Sequence, residues 1–545
     1  MNEQIGFREK LRRRQQAIKS LLCVGLDPKL EKLPEHLKTN LPHNTNYANA
    51  VLIWMMKIVD ATAPYTSMYK INIAHWEAIP GGVEAMRVLV AYIKYNYSDI
   101  VVFGDVKRGD IGRTQECYGI AHFEIDGFEG INFSPYMGKD CMEALVNKEH
   151  LGRAIVGLCY TSNPAARQMQ NVPSQNEIPY WEYVANWQFV WAHDLGILEN
   201  AGLVMAAAYE FPKNSGIVYS EHLKECREIV GDKMWFLIPG VGTQGGYIKE
   251  TVKAAHTGWG SIAINSSSEI IFASSKEDFA EAAAEKAKQA YLAMAEALEI
   301  PKSELIPEAL IDSNDHLATL KNFDAYYKSP KDEDGKFTGP LVAYAGTYPD
   351  YPNPKNYVGF EYFNFAKIET EPVALDCFAK IIAKQIKESA SVCNSVIGAP
   401  MGGIMLASAV GRILNCQTKF SEKKIIALGD PEIGTKDISR YIIDRHQLLK
   451  GSEVFIIEDV CNNFSTTASL KKLIEAKGAK LAGIACAINR SGKTEWEGIP
   501  VISALYIPTN QYRQDDLEVS GLIESLKIVW KPKDNWAVLK KAMEE

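Results

Sequence analysis

Two charged segments of this 545-residue chain hold side chains whose chemistry, more than their packing, explains why they are there. The first is Asp105-Val106-Lys107-Arg108-Gly109-Asp110, directly after the apolar run Ile100 to Phe103. Asp105 and Lys107 are two apart, so on an extended strand both side chains leave the same face. A lysine flanked by carboxylates stays charged at neutral pH. Asp110 follows just beyond. Asp27 ends the run Leu21 to Leu26, and Lys70 lies within Tyr65 to Ala74. Any one of these charges alone reads as a salt bridge. Several gathered where strands end are costly to bury unless each is paired. A functional site is the more economical reading. The second segment is Glu458-Asp459, closing the apolar run Val454 to Ile457 and leading through Asn462-Asn463-Phe464-Ser465-Thr466 into a helical stretch. Two acids followed by a small polar turn suit a sugar or phosphate group. The plain alternative is a helix-capping arrangement.

Both segments need elements to hold them. Apolar runs recur at 21–28, 65–74, 100–108 and 127–136, then as GRAIVGLCYTS, GLVMAAAY, MWFLIPGVG and WGSIAINSS. Segments of helical period separate them. Near-continuous apolar strands alternating with helices predict a parallel sheet under helices. Eight of them predict a closed (β/α)8 barrel, with polar groups gathered at the strand C-termini. A long Ala- and Glu-rich helix from about Ser275 to Glu299 closes this domain, taken as 1–300. Residues 301–359, rich in Pro, Gly, Asp and Lys, read as a linker or loop-rich excursion. Alternation resumes over 360–545. A helix near Ala374–Ser389, the strand SVIGAP, the helix GIMLASAVGRIL and later strands predict an open α/β domain. The fold class expected is therefore α/β, a TIM barrel followed by an open parallel sheet.

Bulk properties narrow the partners. A net charge of -8 gives no reason to expect nucleic acid, and no apolar stretch approaches the roughly 18 residues of a membrane span. The basic N-terminus lacks the apolar segment of a signal peptide and reads as a helix over the bottom of a domain. Ten cysteines without a CxxC pair suit a reducing cytosol and offer no metal-ligand spacing.

The run Asp105 to Gly112 resembles the DxKxxDI signature of the orotidine 5'-monophosphate decarboxylases. GLDP at 25–28, TSNP at 161–164 and PGVGTQGG at 239–246 are similar to other strand ends of that family, in its longer-chain branch. The resemblance implies catalytic roles for Lys70, Asp105, Lys107 and Asp110. Lys107 delivers a proton to C6 of the pyrimidine as carbon dioxide leaves, Asp105 sits beside the substrate carboxylate, and Lys70 holds the array. Asp110 enters the neighbouring subunit's site, which implies a homodimer or higher homo-oligomer. Asp27 binds ribose hydroxyls, Thr161 and Ser162 lie at the pyrimidine, and Gln244 and Gly245 donate to the phosphate. No cofactor is implied for this reaction. The carbanion left at C6 has little resonance relief, so a fixed adjacent cation is what the transition state can use.

The second half resembles the type I phosphoribosyltransferases, the orotate enzymes in particular. The resemblance rests on Glu458-Asp459 with its turn, on Gly398 to Gly403 (GAPMGG), on Asn489-Arg490-Ser491-Gly492 and on FSEKK with Lys423. It implies that Glu458 and Asp459 bind the ribose of phosphoribosyl pyrophosphate and face its Mg2+. Asn462, Asn463, Ser465 and Thr466 hold the phosphate, and Lys423 and Arg490 contact substrate. Together the halves resemble the UMP synthase fusions, acting on small molecules in the cytoplasm.

Two departures stand out. Ser268, in Asn265-Ser266-Ser267-Ser268-Glu269, occupies the place of a phosphate-clamping arginine, and Phe464 that of a phosphate-loop glycine. A glycine there lets backbone amides close round a phosphate. Three readings therefore stand: a bifunctional enzyme, a decarboxylase with a structural or ligand-sensing second domain, and a paralogue for a related nucleotide or nucleoside. If the second domain transfers phosphoribosyl, Phe464 is expected to avoid left-handed backbone angles and to pack on the following helix; if it does not, the ring is expected to fill the vacated phosphate pocket.

Overall fold

The computed structural model describes residues 5–38, 47–174, 177–211, 215–241, 247–312, 315–350, 353–389, 392–427, 438–443, 445 and 447–544. The chain divides into two units, Met1–Ala309 and Leu310–Glu545.

In the first unit eight parallel strands close into a barrel in sequential order. They are β1 (Leu22–Gly25), β2 (Met68–Asn72), β3 (Val101–Arg108), β4 (Gly130–Phe133), β5 (Ala154–Tyr160), β6 (Ala201–Met205), β7 (Trp235–Pro239) and β8 (Ile262–Ser266). β1 pairs with both β2 and β8, so the sheet has no edge. Side chains alternate along each strand. Cys23, Met68, Val101, Phe103, Ala154, Val156, Trp235 and Ala263 form one buried cluster inside the barrel. Lys70 and Asp105 continue the Met68 and Phe103 rows two residues further on, which brings them to the C-terminal mouth of the barrel. The bottom is closed by the helix Phe7–Ile18, whose Phe7 stacks on Trp235 at 5.2 Å between centroids. The helix Phe279–Ala297 packs Phe279, Ala283, Ala287, Tyr291 and Met294 into the outer core.

The second unit is built on a sheet of five parallel strands, β9 (Ser395–Gly398), β10 (Gln417–Phe420), β11 (Glu453–Cys461), β12 (Lys480–Asn489) and β13 (Ile499–Tyr506). Their order is β10-β9-β11-β12-β13, with Glu495–Trp496 antiparallel at the far edge. Phe455 and Ile457 of β11 join the core of helices Pro372–Glu388 and Gly403–Leu414, whereas Val454 and Ile456 join that of helix Ser465–Ala476. Both faces are thus covered.

The stretch 301–359, expected to be a linker or loop-rich excursion, is rich in turns but also carries elements of this unit. It holds the helix His316–Asn322 and strands Tyr326–Lys328, Leu341–Tyr348 and Lys355–Gly359, and the break between units falls after Ala309. Its Pro- and Gly-rich segments are the turns. The intervening Tyr327, Leu341, Val342, Tyr344 and Val358 are buried, in sheets completed by Glu361–Phe363 and Ile528–Val529. Among the described residues no helix is long and apolar enough to cross a membrane.

Candidate active sites

At the mouth of the barrel four expected residues join in one chain of contacts. Lys70 Nζ donates to Asp105 Oδ2 at 3.1 Å and approaches Asp27 Oδ2 at 3.4 Å, while Lys107 Nζ lies 2.5 Å from Asp105 Oδ1. Burial alone would pull the Lys70 ammonium down, but the Asp27 and Asp105 carboxylates override it and hold the group above its ordinary range. Burial would likewise push Asp105 up, and Lys70 and Lys107 instead hold it far below the usual carboxylate value. Lys70 and Asp105 are therefore both ionised at neutral pH. Asp27 Oδ1 also accepts the Asn72 amide at 3.0 Å. Gly25, two residues before Asp27, is required by close approach: a Cβ there would collide with Ser267 beyond β8.

Asp105 and Lys107 meet as expected, but not through regular strand alternation. Along β3, Gly104 pairs with Ile131 and Arg108 with Phe133, so four steps of β3 oppose two of β4. The strand bulges there. Lys107 has φ 47°, a left-handed conformation that costs a non-glycine residue about 1–2 kcal/mol. Asn132 of β4 spans the bulge. Its Oδ1 accepts the amides of Val106 and Lys107, both at 2.8 Å, and its Nδ2 donates to Asp105 Oδ1 at 2.6 Å. Sequence reasoning missed Asn132. The available signal was a lone amide in the apolar strand GINF, at odds with strand propensity.

The other barrel residues are less connected. Asp110 Oδ1 accepts the Ile111 amide at 2.8 Å, and the Asp110 amide donates to Gln115 at 3.1 Å. Thr161, after β5, is tied to Gln170 through its amide and hydroxyl, both at 2.9 Å. Ser162 is exposed and faces Gly240, so the ends of β5 and β7 adjoin. Gln244 and Gly245 lie outside the described residues. Ser268 opens the short helix Ser268–Ile271 beside a cavity of about 750 Å³. Among the described residues lining it, Lys286 is the one cation, and its Nζ bonds Gln289 at 3.1 Å.

In the second unit Glu458 and Asp459 lie near the C-terminal end of β11, and the Asp459 carboxylate faces the turn after β9. Gly402 of that turn approaches so closely that a Cβ would run into the Asp459 carboxylate. Burial, and for Glu458 the like charge of Asp459, raise both carboxyls above their ordinary values. Such a pair is short of cations and fits the hydroxyls of a ribose with a magnesium ion carried in on phosphates. Magnesium binds through one or two carboxylates plus substrate oxygens, and no described group of three or more His, Cys, Asp or Glu forms a cage for a metal. Arg490, just past β12, is buried, with Nε on Thr509 Oγ1 at 2.7 Å and its guanidinium 4.1 Å above the Tyr344 ring. Its Nη2 has no protein partner.

The turn from Asn462 to Thr466 differs from expectation. Phe464 adopts φ 56° and ψ 19°, the left-handed region it was expected to avoid, because its ring is anchored. It is buried and stacked on Trp496 at 5.6 Å, beside Leu470 and Ile474 of the following helix. Asn462 Oδ1 accepts from Gln511, and Asn463 Oδ1 accepts the amide and hydroxyl of Ser465 at 3.2 and 3.0 Å. Thr466 is half-buried in the first turn of that helix. Lys423 is exposed on the strand Glu422–Ala427, paired with Tyr441 of the strand Ile438–Ile442, and none of its described contacts reaches the acidic pair.

Comparison with known proteins follows the same division. Residues 20–283 match the profile described as orotidine 5'-phosphate decarboxylase / HUMPS family, and residues 368–518 that of the phosphoribosyl transferase domain. The orotidine 5'-phosphate decarboxylase of Christiangramia forsetii is 35% identical over 284 residues, covering 51% of this chain and 94% of that protein. That of Ralstonia pickettii is 36% identical over 278 residues, covering 51% and 93%. Among solved structures, the UMP synthase of Leishmania donovani aligns over 92% of this chain and 94% of its own, at 22% identity and a TM-score of 0.42.

Proposed function

This chain belongs to the orotidine 5'-phosphate decarboxylase / HUMPS family, and on that premise we propose that its barrel converts orotidine 5'-monophosphate to UMP and carbon dioxide. The observation that carries this is the linked array Asp27–Lys70–Asp105–Lys107 at the barrel mouth. The bond from C6 to the carboxylate breaks, and its electron pair stays on C6. The Lys107 ammonium neutralises that charge and transfers its proton to C6. Asp105 lies beside the departing carboxylate, Lys70 keeps Asp105 ionised and in place, and Asp27 takes ribose hydroxyls. Thr161 and Ser162 meet the pyrimidine, and Gln244 and Gly245 the phosphate. Asp110 completes the site of a second copy of this chain. The exposed side chains of Ile111, Tyr136 and Met137 around it suit such an interface. The free thiols of all ten cysteines suit the cytoplasm.

The second unit, a phosphoribosyltransferase domain, is assigned the preceding step, transfer of phosphoribosyl from its pyrophosphate to orotate. Glu458 and Asp459 hold the ribose and face the magnesium ion, and Asn462, Asn463, Ser465 and Thr466 lie at the 5'-phosphate. The unpartnered Nη2 of Arg490 and, from its own strand, Lys423 serve the acidic substrates. Magnesium bound with the substrate would screen the charge of the departing pyrophosphate. A second reading keeps only the decarboxylase. It is favoured by the Phe464–Trp496 stack and by the engagement of Asn462 and Asn463 within the protein. Purified protein assayed with orotidine 5'-monophosphate, and separately with orotate, phosphoribosyl pyrophosphate and magnesium, tests both halves. Turnover of the first alone selects the second reading, and turnover of neither overturns both.

A further inference from the structure

Asn132 is 1% exposed, and its side chain makes three bonds that no other residue type reproduces. We propose that Asn132 is the positioning residue that fixes the Lys107 ammonium for proton transfer, an inference that rests on the decarboxylase reading of the barrel. The bulge in β3 removes Val106 and Lys107 from ladder pairing, and Asn132 Oδ1 takes both amides. This bond holds Lys107 in the left-handed conformation from which its side chain turns back to Asp105. The same amide group, through Nδ2, shares Asp105 Oδ1 with Lys107 Nζ. One side chain thus sets the lysine's backbone and the carboxylate its ammonium rests on.

The requirement is chemically narrow. A leucine would leave both amides without an acceptor and Asp105 Oδ1 without its amide donor. A serine is too short to serve all three. An ionised aspartate would accept the amides but press an anion against Asp105. The stem of Lys107 is flexible and half-exposed, so its aim depends on these anchors. A displacement of about 1 Å at a reacting group can cost about 100-fold in rate.

The test uses the full-length chain carrying Asn132→Ala, with Asn132→Ser in its place if the alanine variant does not fold. Three quantities are measured: kcat and KM with orotidine 5'-monophosphate, the melting temperature, and the acylation rate of Lys107 by acetic anhydride relative to exposed Lys286, from peptide mass spectrometry. The expected result is kcat lower by about 30- to 100-fold with KM within about threefold, and Lys107 acylated several-fold faster as it leaves Asp105. Asn132→Asp, which keeps both amide acceptors, should return the acylation rate towards that of the unmodified protein. Unchanged Lys107 reactivity in a folded variant overturns the proposal, whether activity is kept or is lost with the melting temperature. Absence of turnover in the unmodified protein overturns the decarboxylase reading, while the acylation comparison still decides whether Asn132 positions Lys107.

Discussion

Lys70 and Lys107 occupy opposite oxygens of one carboxylate, with Lys70 Nζ 3.1 Å from Asp105 Oδ2 and Lys107 Nζ 2.5 Å from Oδ1. Their side chains are 5% and 50% exposed, so the two lysines answer differently to removal. Lys107→Ala should lower decarboxylation by about 1,000-fold or more, at the upper end of what a proton donor contributes, and leave the melting temperature nearly unchanged. Lys70→Ala leaves Asp27 and Asp105 Oδ2 without their shared cation, Lys107 remaining on Oδ1, and should cost about 3–5 kcal/mol of stability. Steady-state kinetics beside urea unfolding separates the two. Normal turnover in Lys107→Ala would remove it from the mechanism.

Asp110 is expected to work in a neighbouring subunit. Inactive Asp110→Ala protein mixed with inactive Lys107→Ala protein should recover activity through hybrid dimers that hold one complete site. With random exchange the recovery approaches about a quarter of the unmodified rate. No recovery after demonstrated subunit exchange would count against a shared site.

Restoring a cation at position 268 should improve use of the phosphorylated substrate. Ser268→Arg with Glu269→Gly is expected to lower KM for orotidine 5'-monophosphate about 10-fold or more, the worth of one charge-assisted bond. Competition by inorganic phosphate should strengthen in parallel. An unchanged KM would mean that the phosphate does not bind near residue 268.

Phe464 sets a stacking gain against a strained backbone. Losing a buried phenylalanine costs about 3–5 kcal/mol, and releasing a non-glycine left-handed residue returns about 1–2 kcal/mol. Phe464→Gly should therefore destabilise the second unit by about 1–4 kcal/mol. Binding of phosphoribosyl pyrophosphate with magnesium should be equal or slightly tighter. Calorimetric titration of the full-length protein and its variant reads this directly. If millimolar ligand gives no heat with either folded protein, the transferase assignment fails.

Glu458 carries a pH dependence of definite sign. Burial and Asp459 raise its carboxyl in the folded state, so the fold holds the proton more tightly than the unfolded chain. Stability from this group is present below the ordinary glutamate value and is lost as pH rises through the raised one. Glu458→Gln should raise the melting temperature at pH 8 by about 2–4 °C, corresponding to about 1 kcal/mol in a unit of this size. At pH 4 it should bring little gain, and it should abolish magnesium-dependent ligand binding. Melting curves at both pH values check the sign; a greater gain at pH 4 would reverse it.

The barrel was legible because its strands are nearly continuous apolar runs and its charges stand at their ends. Asp27, Lys70, Asp105 and Lys107 come together as their types suggested. Asn132 was not legible: its role depends on a bulge in the neighbouring strand, which strand periodicity cannot express. The strands between Tyr326 and Gly359 were hidden for a different reason. Their Pro- and Gly-rich turns dominate the local composition, and their partners at Glu361–Phe363 and Ile528–Val529 lie outside the window. The Phe464 backbone was misjudged because local sterics argue against a left-handed phenylalanine, whereas the contact with Trp496, more than 30 residues on, compensates for it.

The bulge in β3 also leaves two amides whose protection is separable from that of the barrel. Val106 and Lys107 donate to a side chain, while their neighbours donate into the sheet. Breaking those two bonds needs only a rotation of Asn132, not the parting of two strands. Their hydrogen exchange should accordingly follow a local opening of low free energy, while the amides of Phe103 and Gly104, paired on both sides in the barrel, exchange with global unfolding. This pair of amides is a built-in gauge of how often Lys107 is released from its seat, readable without substrate and without turnover.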